Sequence, residues 1–394
     1  MSYDAPFSGL KVIDLSQGIA GPYCAMLLAQ QGAQVIKVES PGEGDWSRGL
    51  GVRYGDHTAF SIIGNLGKRA IAIDLKQEAG KAVLWRMIAG ADVFIEGFRP
   101  GVIQRLGFGY DLVSAREPRL LYLSISGFGQ SGPLAERPAM DPVLQAFTGL
   151  TGENHGEDGI PHRVPVIPVD MVTSLYAFQA LSSALYARRD EAKGRYLDAS
   201  LLQGAAGLQA IRMMSAHLEG GSIRPGGVPA GVFKTADGWM SITAIREREW
   251  LGLCKALAQP SLPADPRFAT LGARFEHEAD LMSLLRKIIG QLQSAPLAQS
   301  LAEADVMHER VNRYADFLKE PHVVQTKAVA WLSQPDMSQT VPVGHLPGMA
   351  PFKDGTPLAT APRVGHHSHA ILLEHGYDAN EIAALVARGV IELA

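Results

Sequence analysis

Apolar residues in the N-terminal third of the chain fall in short unbroken runs, each followed by a stretch with helical spacing. LKVIDLS (10–16) and QVIKVES (34–40) read as buried strands. Between them GIAGP (18–22) makes a tight turn, and PYCAMLLAQQGA (22–33) makes a helix with Pro22 in its first turn, where a missing N–H is tolerated. The same alternation continues through RAIAIDL (69–75), a helical segment around 81–88, DVFIEGF (92–98) and LLYLSISGFG (120–129). Runs that are apolar at every position, not at every second one, predict strands covered on both faces. Strands alternating with helices therefore predict an α/β fold with a large, Rossmann-like, mostly parallel sheet.

Further along, 141–150 and 171–187 have helical spacing, and RYLDASLLQGAAGLQAIRMMSAHLEG (195–220) predicts a short strand running into one long apolar helix. The pattern then breaks at GGSIRPGGVPAGVF (220–233), whose Gly and Pro content marks a flexible joint. A strand at GWMSITA (238–244) and a run of helices follow. The expected organisation is a large domain begun by 1–225, a smaller α/β domain inserted at 226–332, and a return segment at 333–394 that completes the large one. VPVGHLPGMAPFKDGTPLATAPRVGHH (341–367) reads as an extended path back, and HAILLEHGYDANEIAALVARG (369–389) as helical.

Composition narrows the function classes. A net charge of -4 without a long basic run argues against a nucleic-acid partner, which needs clustered Lys and Arg. No apolar run approaches the length of a membrane span, and no basic-then-apolar leader opens the chain, so neither membrane nor export is expected. Two cysteines far apart, Cys24 and Cys254, fit a reducing, cytoplasmic setting better than a disulfide framework.

Several short stretches carry candidate chemistry. GIAGP lies where a dinucleotide fold has its phosphate turn, with Glu39 at the end of the next strand, but it offers Gly18-x-x-Gly21 and not G-x-G-x-x-G. GFGQSGP (127–133) leaves an apolar strand where backbone N–H groups can face a ligand; a plain turn is the alternative. GHHSH (365–369) puts adjacent imidazoles on different faces and has no second ligand set, so no metal is expected. Arg48, Lys68, Arg69, Lys76, Arg99 and Arg105 recur near one predicted edge of the sheet, which suits a ligand with several phosphates unless they are surface charge. Within PVIPVDMVTSLYAF (165–178), Asp170 sits at a predicted helix start, either as a cap for that helix or as a nucleophile.

Taken together, LKVIDLSQGIAGPYCAMLLAQQGAQVIKVE, GKRAIAIDLK, ADVFIEGFRPGVIQRLGFGYD, LLYLSISGFGQSGP, the PVDM segment, GRYLDASLL and PRVGHHSHAIL resemble the class III coenzyme A transferases. That group contains the formyl-CoA and carnitine-CoA transferases and has the α-methylacyl-CoA racemases as relatives. The resemblance covers nearly the whole chain. It implies an interlocked homodimer that moves CoA from an acyl-CoA donor to a carboxylic acid through an aspartyl anhydride and an aspartyl-CoA thioester. CoA is then a substrate, and no cofactor is permanently bound. Asp170 matches the nucleophile, and Gly226 and Gly227 match a glycine loop that swings over the intermediate by reaching backbone angles closed to other residues. CoA contacts are implied at Gln17, Gly18, Ile19, Ala20, Lys76, Phe98 and Arg105, with Arg99 and Lys68 as further basic candidates.

The departures are specific. The racemases carry a His where this chain has Met140, before Asp141, and an acid in the small domain where it has Arg246. These changes favour transfer over racemisation and point to Met140 and Arg246 as substrate contacts, Arg246 toward a second carboxylate. Against the formyl-CoA transferases, Ile19 replaces a glutamine, Ser40 an arginine and Gly97 an asparagine, which questions oxalate or formate as substrates. A 2-methylacyl-CoA racemase and an intramolecular CoA transferase stay open as alternatives.

Overall fold

Each apolar run of the N-terminal third becomes a strand: β1 (Lys11–Asp14), β2 (Gln34–Glu39), β3 (Arg69–Ile73), β4 (Val93–Glu96) and β5 (Leu121–Ser126), joined later by β6 (Tyr196–Ser200). The computed structural model describes residues 5–156, 158–221 and 225–394. Ser222, Ile223 and Arg224, in the expected joint, lie outside the described residues. The chain divides into two compact units, Met1–Ala210 with Lys327–Ala394, and Ile211–Thr326.

In the first unit neighbouring positions point to opposite faces, and both faces are apolar. Val12, Val35, Val93 and Leu121 pack with Cys24, Leu28, Ala177 and Leu181 on one side. Ile13, Ile36, Phe94 and Tyr122 pack with Val83, Leu84, Ile371 and Ile382 on the other. A two-residue period with both sets buried explains why the sequence shows unbroken runs. Each buried Val, Leu, Ile or Phe among them contributes about 1.5–3 kcal/mol of burial. The helices that cover the faces are Ala20–Gln30 and Pro168–Ala187 on the first, and Glu78–Ile88 and Ser368–Glu374 on the second.

Among the described residues the main sheet has seven strands in the order β12-β3-β2-β1-β4-β5-β6, where β12 is Ile391–Glu392 near the C-terminus. β1 to β6 pair in parallel, and β12 runs antiparallel to β3. The strand order reverses between β1 and β4, so a crevice opens beyond their carboxyl ends, the usual ligand position in such sheets.

The second unit holds β7 (Ala230–Lys234), β8 (Trp239–Thr243) and β9 (Met307–Arg310), an antiparallel sheet packed with helices around Phe233, Trp250 and Leu281. β10 (Val329–Leu332) pairs with β11 (Val341–Gly344), so the return path contains a hairpin, and β10 stays with the first unit. The contacts thus divide the chain before the expected 225 and 332. The apolar helix expected after β6 is two helices, Leu201–Leu208 and Ala210–Leu218.

Candidate active site

A network of buried charges builds the floor of the crevice. Lys68 holds Asp14 at the end of β1 (2.7 Å) and donates to the Pro22 carbonyl and Asn65 Oδ1, while Lys37 pairs with Asp45 (2.8 Å) and bonds the Ser16 carbonyl. Glu39 takes Arg48 in a two-pronged pair, 2.7 and 2.8 Å, and accepts the Asp45 N–H. Arg69 pairs with Glu374. Arg48 and Lys68 are therefore held in buried ion pairs, Arg69 stays partly exposed beside Glu374, and Glu39 is occupied by Arg48 rather than by a ribose. Asp45 finishes the construction by accepting the Gly18 N–H (2.9 Å), which pins the turn after β1. Gly18 has φ +79°, and a Cβ there would lie 2.3 Å from the Trp46 ring, so only glycine lets Trp46 lie over the turn. Gly21 serves the same purpose against Ser16, where a Cβ would come within 2.2 Å.

Above this floor lies a cavity of about 320 Å³ lined by Gln17, Ile19, Ala20, Gly21 and Trp46 after β1 and β2, and by Gly97 and Arg99 after β4. Ile125, Ser126 and Gly127 from the end of β5, with Ala139, Met140, Asp170 and Leu201, complete its wall. A second cavity of about 190 Å³ is lined by Gln17, Ser40, Lys76, Phe98 and Leu106, among others, so Gln17 borders both. The loop after β4 reaches both cavities too, through Gly97 and Phe98. Its shape is held by the Phe98 N–H donating to Glu96 Oε2 (2.8 Å), and burial pushes the Glu96 carboxyl up to about 7.

Asp170 is the ionisable side chain, besides Arg99, on the first cavity's wall. The helix it belongs to begins at Pro168, three residues before the expected 171, because Pro168 supplies the first helical position. Asp170 is therefore inside the first turn and does not cap it. Asp141, 1 % exposed at the start of the Asp141–Phe147 helix, caps it instead: Oδ2 accepts the N–H groups of Val169 (2.7 Å) and Asp170 (3.1 Å). Gln145 steadies Asp141 by donating to Oδ1 (2.6 Å) and ties down the preceding strand of chain by accepting the Val164 N–H (2.9 Å). Among the described residues no donor reaches the Asp170 carboxyl. The residue is half-buried, its open part lines the cavity, and burial together with the Asp141 charge pushes it up to about 7. A carboxyl so placed can attack an electrophile or exchange a proton. Met140, 48 % exposed, contributes a thioether that carries no exchangeable proton.

The remaining expected residues fall in different places. Lys76 is exposed at the second cavity and Arg99 at the first; Arg105 is exposed on the Val102–Leu106 helix, outside either lining. Gly226, Gly227 and Arg246 belong to the second unit. Neither glycine has a positive φ there. Gly227 is instead close-packed, with a Cβ at that position only 2.5 Å from Ile245. Arg246 is largely exposed, 3.6 Å from Glu249. His367 accepts the Ala70 N–H (3.2 Å), tying its helix to β3, and burial pushes the Cys24 thiol up. Sequence reasoning missed Trp46, Asp45 and the capping role of Asp141. The one available signal was an acid at a helix start next to Met140.

Comparison with known proteins agrees with this architecture. The model of CoA-transferase family III matches residues 7–368. The succinyl-CoA–D-citramalate CoA-transferase of Chloroflexus aurantiacus is 30 % identical over 395 residues, covering 98 % of each chain. The acetyl-CoA:oxalate CoA-transferase of Acetobacter aceti is 35 % identical over 333 residues, 82 % of this chain and 84 % of that one. A crystal structure of a CAIB/BAIF family protein from Brucella suis superimposes with a TM-score of 0.82 at 31 % identity, covering 95 % of this chain and 100 % of that one.

Proposed function

The chain belongs to CoA-transferase family III, and from that premise we propose that it transfers CoA between an acyl-CoA and a small carboxylic acid with Asp170 as nucleophile. Acyl-CoA thioesters and carboxylic acids are the substrates of such enzymes. The observation that carries the nucleophile assignment is the Asp170 carboxyl itself, on the cavity wall, relieved of capping by Asp141 and unbonded.

The proposed cycle follows from carboxylate chemistry. One Asp170 oxygen bonds the thioester carbonyl carbon, the C–S bond breaks, and CoA leaves as thiolate beside a mixed anhydride. The thiolate attacks the aspartyl carbonyl and expels the donor acid, leaving an aspartyl-CoA thioester. An acceptor carboxylate attacks that thioester, a second anhydride forms, and the returning thiolate takes the acceptor's acyl group, which restores Asp170. Ile19, Ala20, Ile125, Ala139 and Leu201 give the cavity an apolar wall that limits water, which would otherwise hydrolyse the anhydride.

The pantetheine arm is proposed to run past Gln17, which borders both cavities, with Phe98 beside it and Lys76 and Arg105 meeting phosphates by charge. Arg99, free of any carboxylate partner among the described residues, is proposed to meet the acid substrate. D-citramalate and oxalate in the relatives' names are dicarboxylic acids, so the proposed acceptor is a small diacid. A homodimer is part of the proposal. Ile211, Met214 and Leu218, exposed on one helix, give it an apolar surface.

The test is exchange of CoA between succinyl-CoA or acetyl-CoA and a panel of organic acids, read by mass spectrometry. Asp170→Ala is expected to lose exchange entirely while remaining folded, and hydroxylamine added with acyl-CoA is expected to leave a hydroxamate on Asp170 of the wild type. A fully active Asp170→Ala protein would overturn the assignment.

A further inference from the structure

We propose that Asp141 is a positioning residue of the reaction: acting through the backbone of Val169 and Asp170, it keeps the nucleophile's carboxyl unbonded and places beside it a negative charge that acylation relieves. This inference rests on Asp170 being the nucleophile.

The geometry is specific. A carboxylate in the first turn of a helix ordinarily has exposed N–H groups within reach, and an Asp there readily folds back onto them. In this chain the N–H groups of Val169 and Asp170 are both taken by one oxygen of Asp141, from a different helix, and Ile167 at the cap position has no side-chain bond to offer. Asp141 in turn is fixed by Gln145, whose amide also donates to the carbonyls of Val164 (3.2 Å) and Val166 (3.4 Å). Among the described residues Asp170 is thus left with neither a local donor nor a cation bonded to it. The charged groups facing it are Asp141 from the Asp141–Phe147 helix and Arg99 from the loop after β4. The other side chains on the cavity wall carry no charge.

Chemistry gives this arrangement a purpose. Two carboxylates near one helix start repel each other, and the repulsion persists as long as Asp170 is ionised. When Asp170 bonds the thioester carbonyl carbon and the C–S electron pair leaves with sulfur, the aspartyl group becomes a neutral anhydride, and it stays neutral as the CoA thioester. Both covalent forms escape the repulsion that the free carboxylate suffers. Asp141 thereby favours the loaded enzyme over the free one and makes the ionised nucleophile more basic. The accompanying cost is that a larger fraction of Asp170 is protonated, and inert, at mildly acidic pH.

The experiment is single-turnover labelling of Asp170 by succinyl-CoA, followed by mass spectrometry across pH 5 to 9, in wild type, Asp141→Asn and Asp141→Ser. Both substitutions keep an oxygen that can accept from the helix N–H groups and remove the charge; the second covers the case in which the first does not fold. In wild type the acid limb of labelling is expected near 7. In the neutral variants it is expected to move down by roughly 0.5–1 pH unit, with the plateau rate falling roughly threefold, as Brønsted behaviour gives for a less basic nucleophile. The half-saturating succinyl-CoA concentration is expected to change by less than about twofold, since Asp141 lies outside the cavity lining. A residue that merely held the fold would reduce the amount of labelled protein without moving the limb. An unmoved limb in either folded variant, or a wild-type limb in the ordinary carboxylate range, overturns the proposal. No adduct in the wild type at any pH would instead remove the nucleophile reading on which it rests.

Discussion

At Asp170, burial and the neighbouring Asp141 push the carboxyl from its ordinary 3.8 up to about 7, so the ionised form that the proposed attack requires is one that the native state disfavours. The sign follows from proton counting. Below about pH 4 both folded and unfolded chains hold the proton and no penalty exists; between 4 and 7 the unfolded chain has lost a proton that the native carboxyl keeps, so stability falls as pH rises; above 7 the penalty is complete. Partial exposure limits it to about 1–2 kcal/mol. Asp170→Asn should therefore be inactive yet more stable than wild type by that amount at pH 8, with the gain gone by about pH 4. Urea titrations at the two values check this, and an Asn variant less stable than wild type at pH 8 would contradict it. Asp170 stood out in the sequence because its surroundings resemble those of a family nucleophile, and the structure puts it on a cavity wall. The pairs Lys68–Asp14 and Arg48–Glu39 were not legible because each joins segments, 54 and 9 positions apart, that no local pattern links.

Helices and strands differ in how plainly the chain announces them. β1 to β5 were legible because burial on both faces leaves unbroken apolar runs, whereas β12, two residues long, has no pattern of its own and exists because β3 offers an open edge. The start of the Pro168–Ala187 helix was placed late because its cap comes from a residue 28 positions away, beyond any capping pattern. That helix is held laterally by the Leu201–Leu208 helix, and Gly204 faces Thr173 across the seam between them. A Cβ on Gly204 would sit 2.1 Å from Thr173 Oγ1 and 3.2 Å from its Cα, so reorienting the hydroxyl does not make enough room. Gly204→Ala is expected to cost about 1–3 kcal/mol of stability, as overpacked cores do. Thr173 lies one turn beyond Asp170, so the same shift should lower the rate of Asp170 labelling more than it alters acyl-CoA affinity. Thermal melts and single-turnover labelling measure the two parts, and an alanine variant unchanged in both would show that the seam is looser than its geometry states.

For the molecule as a whole, the decisive fact is that one compact unit is assembled from both ends of the chain, with residues 211–326 inserted between. Composition showed that an insertion exists, but its limits are set by contacts, such as β10 pairing with β11, that join residues on the far side of the inserted unit. The last twenty positions contribute nothing to either cavity lining, yet Ile382, Leu385, Val390 and Ile391 complete the core on one face of the main sheet. At about 1.5–3 kcal/mol each, their burial approaches the roughly 5–15 kcal/mol by which a whole protein is stable. β12 also closes the edge of β3, and the Val390 carbonyl accepts the Asp74 N–H (2.8 Å) at the turn that presents Lys76 to the second cavity. A chain ending at Glu374 would keep every side chain of both cavity linings while exposing a strand edge and an apolar face, the combination that drives aggregation. It is expected to appear mainly in the insoluble fraction, and any soluble part to melt without cooperativity and bind succinyl-CoA more weakly than the full chain. Recovery of a soluble, cooperatively melting truncation with unchanged succinyl-CoA affinity would mean that the N-terminal segment folds its sheet unaided and that the C-terminal return is dispensable to the two cavities.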